Sequence, residues 1–165
     1  MILICYDGSA DAQAAIDHAG ELIMGEQAAV LCVWEPFLDM LARNSFGISM
    51  FAPEATDVEA IDAGNEREAR RRAEEGVEYA DRAGFEGQAV TRARDGSMAS
   101  AILAEAEQVS ARAIVMGTRG LTGVKHVILG SVSAAVLREA DRPVIVVPSA
   151  EVAAARTERR HAGDA

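Results

Sequence analysis

The chain has 165 residues, half of them hydrophobic and a quarter charged, which is the balance of one soluble domain with its own core. Its formal net charge of −10 and its sequence pI of about 4.7 argue against a protein that wraps nucleic acid or lies on an anionic membrane. An acidic protein can still bind an anion locally through its backbone N–H groups.

The first residues have the pattern of a strand and not of a targeting signal. Ile2-Leu3-Ile4-Cys5 follows the first methionine without a basic lead or a small-residue cleavage site. No apolar run approaches the length of a bilayer span. Cys5 and Cys32 both lie in apolar strand-like runs, as free thiols in a reducing cytosol do. We therefore expect a cytoplasmic protein.

Five short apolar runs alternate with helical patterns along the chain. Most of the runs are apolar at consecutive positions, which is typical of parallel strands covered on both faces. The predicted strands are Ile2–Tyr6, Ala28–Trp34, Gln88–Ala93, Ala113–Met116 and Val144–Val147. The predicted helices are Ala10–Met24, Val58–Ala83, Met98–Val109 and Val132–Glu139. This alternation predicts right-handed βαβ units in a doubly wound α/β fold, with residues 1–148 as one domain.

Two stretches fall outside the alternation. Residues 36–56 form a long connection with several large apolar side chains, which is either a flap over a site or an insert that packs on the core edge or is partly disordered. Residues 149–165 are rich in Ala, Arg and Glu and have no hydrophobic stripe, so we expect a disordered tail or a frayed helix.

The stretch with the clearest chemistry follows the fourth predicted strand. Gly117-Thr118-Arg119-Gly120 is followed nine residues later by Gly130-Ser131, at the start of a predicted helix. Glycine lets backbone N–H groups face an anion without an intervening side chain, and a helix start adds unpaired N–H groups. The pattern predicts a phosphate or nucleotide site in which Ser131 caps the helix and, with Ser133, reaches the anion. Arg119 is either a phosphate clamp or a solvated loop charge.

A second candidate element, Asp7-Gly8-Ser9, follows the first predicted strand. Ligands of open α/β sheets bind beyond the carboxyl ends of the strands, where the strand order reverses. A strand order of 3-2-1-4-5 places Asp7 beside the glycine loop, where it holds Mg²⁺ or accepts hydrogen bonds from a ribose or base. The alternative is a turn in which Asp7 or Ser9 caps the first helix. The sequence contains no Walker A loop and no dinucleotide fingerprint.

Together these segments resemble the universal stress protein family. Gly117-x-x-Gly120, nine residues and then Gly130-Ser131 match the ATP-binding signature of that family. Asp7-Gly8-Ser9 resembles its N-terminal mark, and residues 143–148 resemble its last strand. The agreement runs from residue 2 to about residue 148, without the long connection.

The resemblance implies a Rossmann-like sheet of five parallel strands in the order 3-2-1-4-5, with helices on both faces. It implies ATP bound between the first and fourth strands, usually in a homodimer. Asp7 would meet the nucleoside end, with or without a metal ion, and Val33 would line the adenine pocket. The residues implied to hold the phosphates and ribose are Gly117, Gly120, Gly130, Ser131, Val132 and Ser133.

The implied function is an ATP-binding regulatory module of the stress response that acts as a homodimer. Two alternatives stay open, a slow Mg-dependent ATPase that uses Asp7 and a dimeric scaffold that binds no nucleotide. The intact glycine loop argues against the scaffold, and the lack of an evident general base or arginine finger argues against fast hydrolysis. The apolar strand Val144–Val147 would lie at a sheet edge, which predicts that it forms the dimer contact.

Overall fold

In the described part of the chain, five parallel strands form one sheet with helices on both faces. The computed structural model describes residues 1–23, 25–43, 55–121 and 129–163. The strands are β1 (Ile2–Cys5), β2 (Gln27–Trp34), β3 (Glu86–Ala93), β4 (Ile114–Gly117) and β5 (Val144–Val147). The helices are α1 (Ala10–Leu22), α2 (Phe37–Arg43), α3 (Ala55–Arg82), α4 (Met98–Gln108), α5 (Ser131–Glu139) and α6 (Ala150–Gly163). The strand order β3-β2-β1-β4-β5 and the parallel pairing confirm the predicted fold.

The apolar runs of the central strands are explained by burial on both faces of the sheet. Alternate residues of a strand point to opposite faces. Ile4 of β1 accordingly packs in the cluster beneath α1 and α3, whereas Leu3 packs in the cluster beneath α4 and α5. Val115 and Ile114 of β4 divide in the same way. A strand of this kind has no polar face, so its sequence is apolar throughout.

The long connection contains a helix that the sequence pattern does not reveal. Helix α2 begins directly after Pro36, and its first residue, Phe37, donates its backbone N–H to Asp62 Oδ1 of α3 at 2.7 Å. Because a tertiary contact holds this helix, local periodicity gives no signal for it. The rest of the expected flap or insert, residues 44–54, lies outside the described residues.

The C-terminal residues form helix α6, which corresponds to the helical one of the two expected alternatives, a disordered tail or a frayed helix. Val152 in its first turn is buried, and Ser149 just before it hydrogen-bonds to Asp11 of α1. The backbone N–H of Ala153 donates to the Ser149 carbonyl at 2.9 Å. A few contacts with the domain thus fix the start of a helix that has no hydrophobic stripe to predict it.

Helix α3 lies so close to the sheet at Gly76 that a side chain there has no room. A Cβ at Gly76 would lie 2.7 Å from Val30 Cγ1 and 2.8 Å from two ring atoms of Tyr6. Val30 and Tyr6 are both buried, so neither moves aside easily. Gly64 on the same helix offers a contrast, since a Cβ there meets only Arg67 Nη2 at 3.9 Å.

We therefore expect opposite effects from the same substitution at two positions of α3. Gly76→Ala should lower the free energy of unfolding by about 1–3 kcal/mol, because it overpacks the contact with the sheet. Gly64→Ala should raise it by about 0.5–1 kcal/mol, because alanine favours the helix and meets no obstacle. Urea unfolding of both variants measures the difference, and a stabilised Gly76→Ala would contradict the close packing of α3.

Candidate functional site

A cavity of about 670 Å³ opens at the carboxyl ends of β1, β2 and β4 and at the start of α5. Its volume is in the usual range for small-molecule sites. All the site residues selected from the sequence line it: Asp7, Val33, Gly117, Arg119, Gly120, Gly130, Ser131, Val132 and Ser133. The structure thus brings these residues together, while their contacts with a ligand stay a prediction.

Other residues line the same cavity and were not selected from the sequence. They are Cys5, Tyr6, Ala12, Leu31, Arg43, Met98, Ile102, Met116 and Leu121. For two of these, Leu31 and Ile102, the sequence pattern could have indicated a place in the site. Leu31 lies two residues before Val33 on β2, and Ile102 lies four residues after Met98 on α4, so each pair shares a face. The pattern offers no such indication for Arg43, because it lies in the connection whose helix was not predicted.

Asp7 fastens the loop after β1 to the loop after β4. Its Oδ1 accepts the backbone N–H of Ser9 at 3.0 Å, and its Oδ2 accepts that of Leu121 at 3.1 Å. A Cβ at Gly120 would lie 2.5 Å from Asp7 Oδ2, so a larger residue there would displace the carboxylate. The cap of α1 is Ser9, whose Oγ accepts the backbone N–H of Ala12 at 3.2 Å.

Asp11, in the first turn of α1, anchors the glycine loop from below. Its Oδ2 accepts the hydroxyl of Thr118 at 2.5 Å and the backbone N–H of Arg119 at 3.1 Å. Burial by itself would raise the pKa of Asp11. The hydrogen bonds from Thr118 and Ser149 and the charge of Arg119 outweigh burial and hold the pKa below its ordinary value. Asp11 was not among the residues predicted for the site, since an acidic residue in a first helical turn is common and gives no specific signal.

Arg119 is already engaged by the protein on one side. Its Nε lies 3.7 Å from Asp11 Oδ2, and its side chain is 14% exposed. The guanidinium therefore lines the cavity with part of its charge balanced by a buried carboxylate. With so little exposure, Arg119 is not a solvated loop charge, and its role as a phosphate clamp stays a prediction.

Backbone atoms pack closely against two glycines of the signature, and at Gly117 they leave no room for a side chain. A Cβ at Gly117 would lie 2.7 Å from the carbonyl carbon of Asp11 and 2.9 Å from the nitrogen of Ala12. A Cβ at Gly130 would lie 3.1 Å from the Thr118 carbonyl oxygen, which also accepts the Gly130 N–H at 2.7 Å. The glycines thus let β4 pass α1 and let the loop return to its own start.

The two serines of α5 have different surroundings. The N-cap of α5 is Gly130, with no side-chain cap, so the predicted capping by Ser131 is wrong. The Ser131 side chain is exposed at the cavity. Ser133 is buried, and its hydroxyl donates to the carbonyls of Thr118 at 2.9 Å and Gly130 at 3.0 Å. Ser133 therefore supports the loop, whereas the hydroxyl of Ser131 is exposed at the cavity.

The inner end of the cavity is apolar and uncharged. Burial, with a smaller contribution from the Asp7 charge, raises the pKa of the Cys5 thiol to about 12, so the thiol is neutral near pH 7. Burial also raises the pKa of Tyr6 to about 12, and the Tyr6 hydroxyl donates to Glu75 Oε1 at 2.9 Å. Neither group supplies a nucleophile here. Among the described residues, no group of three or more His, Cys, Asp and Glu side chains is placed to hold a metal ion.

Comparison with known protein families identifies the family of this chain. The model of the universal stress protein family matches residues 1–148. The chain belongs to this family. A universal stress protein of Thermus aquaticus is 35% identical over 152 residues, which cover 88% of this chain and 96% of that protein. One from Methanocaldococcus jannaschii is 30% identical over 151 residues, covering 88% of this chain and 80% of the relative.

Solved structures of universal stress proteins and their relatives share the fold. A hypothetical protein solved as a test case of structural genomics superposes with a TM-score of 0.70 at 23% identity, over 89% of this chain and 94% of its own. A universal stress protein in complex with cAMP gives 0.60 at 21% identity, over 90% and 97%. One from Archaeoglobus fulgidus in complex with dAMP gives 0.58 at 21% identity, over 88% and 95%. Within the described residues, no helix is both long and apolar enough to cross a membrane.

The anchoring by Asp11 predicts a dependence of stability on pH. The folded-state pKa of Asp11 lies below its ordinary value of 3.8, so its contribution is present above that pH and is lost as the pH falls through the folded value. Asp11→Asn should lower the free energy of unfolding by about 1–3 kcal/mol near pH 7, because a buried charged acceptor is lost. The difference from the wild type should shrink below about pH 4.

Denaturant unfolding between pH 3 and pH 8 checks this expectation, with Asp17→Asn as the control. Asp17 lies on the same helix but is exposed, so its substitution should change stability by less than about 0.5 kcal/mol. Equal effects at Asp11 and Asp17 would show that Asp11 does not anchor the loop.

Proposed function

We propose that this universal stress protein binds ATP in the cavity and acts as a nucleotide-dependent regulatory module of the stress response. The observation that carries the proposal is one cavity with two chemically different ends. Backbone groups of the glycine loop and the start of α5 line one end, and apolar side chains line the other. We also propose that the protein works in the cytoplasm, where its free thiols, Cys5 and Cys32, stay reduced.

The apolar end suits an adenine base. Leu31 and Val33 of β2, Met98 and Ile102 of α4, and Met116 of β4 supply flat apolar contact without a charged group. A purine ring gains most from such a surface, because burying it removes apolar area from water. We assign Val33 to the adenine pocket, as the family resemblance implies.

The opposite end suits the phosphates. The first N–H groups of α5, from Ser131 to Ser133, lie at the positive end of the helix and have no carbonyl partner within it. The exposed Ser131 hydroxyl adds a donor beside them. Asp7 is the acidic residue among the described lining residues, so we propose it for the ribose and as one protein ligand of a phosphate-bound Mg²⁺.

The comparisons support an adenine nucleotide. Two of the similar solved structures are described as complexes with cAMP and dAMP, which share the adenine ring and carry one phosphate. At 21% identity they do not transfer contacts to this chain, but the ligand class agrees with the two ends of the cavity.

A regulatory role fits the cavity better than fast hydrolysis. Both oxygens of Asp7 already accept backbone hydrogen bonds, from Ser9 and Leu121, which makes this carboxylate a poor general base. We therefore propose that the nucleotide acts by being bound, and that its occupancy changes a partner or the dimer.

Two serine variants separate ligand contact from loop support. Ser131→Ala should weaken ATP binding severalfold to about tenfold and leave the melting temperature nearly unchanged, because it removes an exposed donor. Ser133→Ala should lower the melting temperature, because it removes a buried hydroxyl that hydrogen-bonds to the Thr118 and Gly130 carbonyls and so ties α5 to the loop. Gly130→Val should abolish binding. Isothermal titration with Mg-ATP and thermal unfolding measure the three variants. Unchanged affinity in Ser131→Ala and Gly130→Val would place the nucleotide elsewhere.

We further propose a homodimer through β5. This strand pairs with β4 and is the last strand of the sheet, so its other edge has backbone groups that sheet pairing leaves open. Pro143 and Pro148 bracket it and limit how far pairing would extend. A second copy related by a twofold axis would cover this edge.

Sedimentation velocity at micromolar concentrations should therefore show a dimer. Val146→Asp should give a monomer or insoluble protein, because it puts a charge beside the contact, whereas Val146→Thr keeps the branched shape and should remain dimeric. Circular dichroism checks that each soluble variant is folded. A monomeric wild type at high micromolar concentration would overturn the dimer.

A further inference from the structure

Among the described residues, one basic residue outside the glycine signature lines the cavity. Arg43 is the last residue of α2 and shares the cavity with Asp7 and Ser131. Its side chain is 57% exposed, which puts the guanidinium at the solvent side of the cavity. A net charge of −10 makes a local cation valuable to any anionic ligand.

A charge network holds Arg43 in this position. Glu35, the residue after β2, accepts a hydrogen bond from Arg43 Nη2 with its Oε2. The other oxygen, Oε1, lies 2.9 Å from Nη1 of Arg94, the residue after β3. The Arg94 side chain is 11% exposed, and its Nε lies 3.9 Å from Asp39 Oδ2. Two carboxylates therefore balance the buried Arg94, and one oxygen of Glu35 is turned toward Arg43.

Backbone contacts hold the same corner of the fold. The Asn65 amide of α3 donates to the Glu35 carbonyl at 3.3 Å, and Phe37 N–H donates to Asp62 at 2.7 Å. Arg94 N–H donates to the Trp34 carbonyl at 2.7 Å. The backbone on either side of Glu35 is thus held both by α3 and by the end of β3.

Arg43 has the more available charge of the two arginines on the described cavity wall. Arg119 is largely buried, and its Nε faces Asp11 at 3.7 Å. Arg43 donates to Glu35 through one nitrogen. A guanidinium has five N–H donors in a planar fork, so other donors remain for a ligand. Such a fork matches two phosphate oxygens at once.

We infer that Arg43 binds phosphate oxygens of the nucleotide, with Glu35 and Arg94 as positioning residues that hold it at the cavity. The inference rests on the proposed nucleotide site and adds to it a second side-chain cation beside Arg119 of the glycine signature. Since the contact is with phosphate, its contribution should grow with the number of phosphates.

The test is a titration of four ligands, adenosine, AMP, ADP and ATP, into the full chain and into Arg43→Gln, at one Mg²⁺ concentration. Arg43→Gln should lose about tenfold in affinity for ATP, less for AMP, and nothing for adenosine, because a charge-assisted hydrogen bond is removed. Arg43→Lys keeps the charge without the fork and should recover part of the loss.

Arg71→Gln is the matched control. Arg71 lies on α3, is 66% exposed and is paired with Glu68, so the variant makes the same charge change away from the cavity wall. It should leave all four affinities unchanged. Thermal unfolding of each variant should stay close to the wild type.

The outcomes separate this inference from the proposal on which it rests. An Arg43→Gln variant that binds ATP as the wild type does, or that loses adenosine as strongly as ATP, overturns the phosphate contact and leaves nucleotide binding intact. A loss shared with Arg71→Gln shows a general charge effect and also overturns it. A wild type that binds none of the four ligands overturns both.

Discussion

The site depends on a buried carboxylate that does not belong to the glycine signature. Asp11 joins three segments, since it lies on α1 and binds Thr118 and Arg119 of the glycine loop and Ser149 before α6. Its position near the positive end of α1 favours the ionised form, and the donors around it compensate for burial. A loop held in this way presents its N–H groups in one geometry, which reduces the conformational entropy that a ligand would have to remove.

The residues proposed for binding also serve packing, and this affects how the site can be studied. A side chain at Gly117 would meet the backbone of α1, and one at Gly120 would meet the carboxylate of Asp7. Loss of binding after a substitution at either glycine would therefore not distinguish a displaced loop from an obstructed ligand. Ser131 is more informative, because its side chain is exposed and the helix cap is Gly130.

The sequence predicted those features that depend on local pattern. The parallel α/β architecture followed from buried apolar runs such as Ile2–Cys5, and Asp7 and the glycine loop followed from loops at strand ends. The strand order and the choice of Val33 followed from the family resemblance. What the sequence missed or left open depends on contacts distant in sequence. Helix α2 is tied to Asp62 and helix α6 to Asp11, and neither tie leaves a periodic trace. The capping role given to Ser131 was wrong because Gly130 takes that position.

Backbone donors also explain how a strongly acidic chain can accommodate a phosphate. The N–H groups at the start of α5 are neutral, so in the proposed site they would bind an anion without adding a cation that the surrounding carboxylates would attract. Arginines of such a protein tend to form ion pairs with its carboxylates. Arg119 pairs with Asp11 in this way, and Arg94 pairs with Glu35 and Asp39. Arg43 differs because Glu35 divides its two oxygens between Arg94 and Arg43. A shared carboxylate balances each partner less completely than a dedicated one, and positive charge remains at the cavity where a phosphate would meet it.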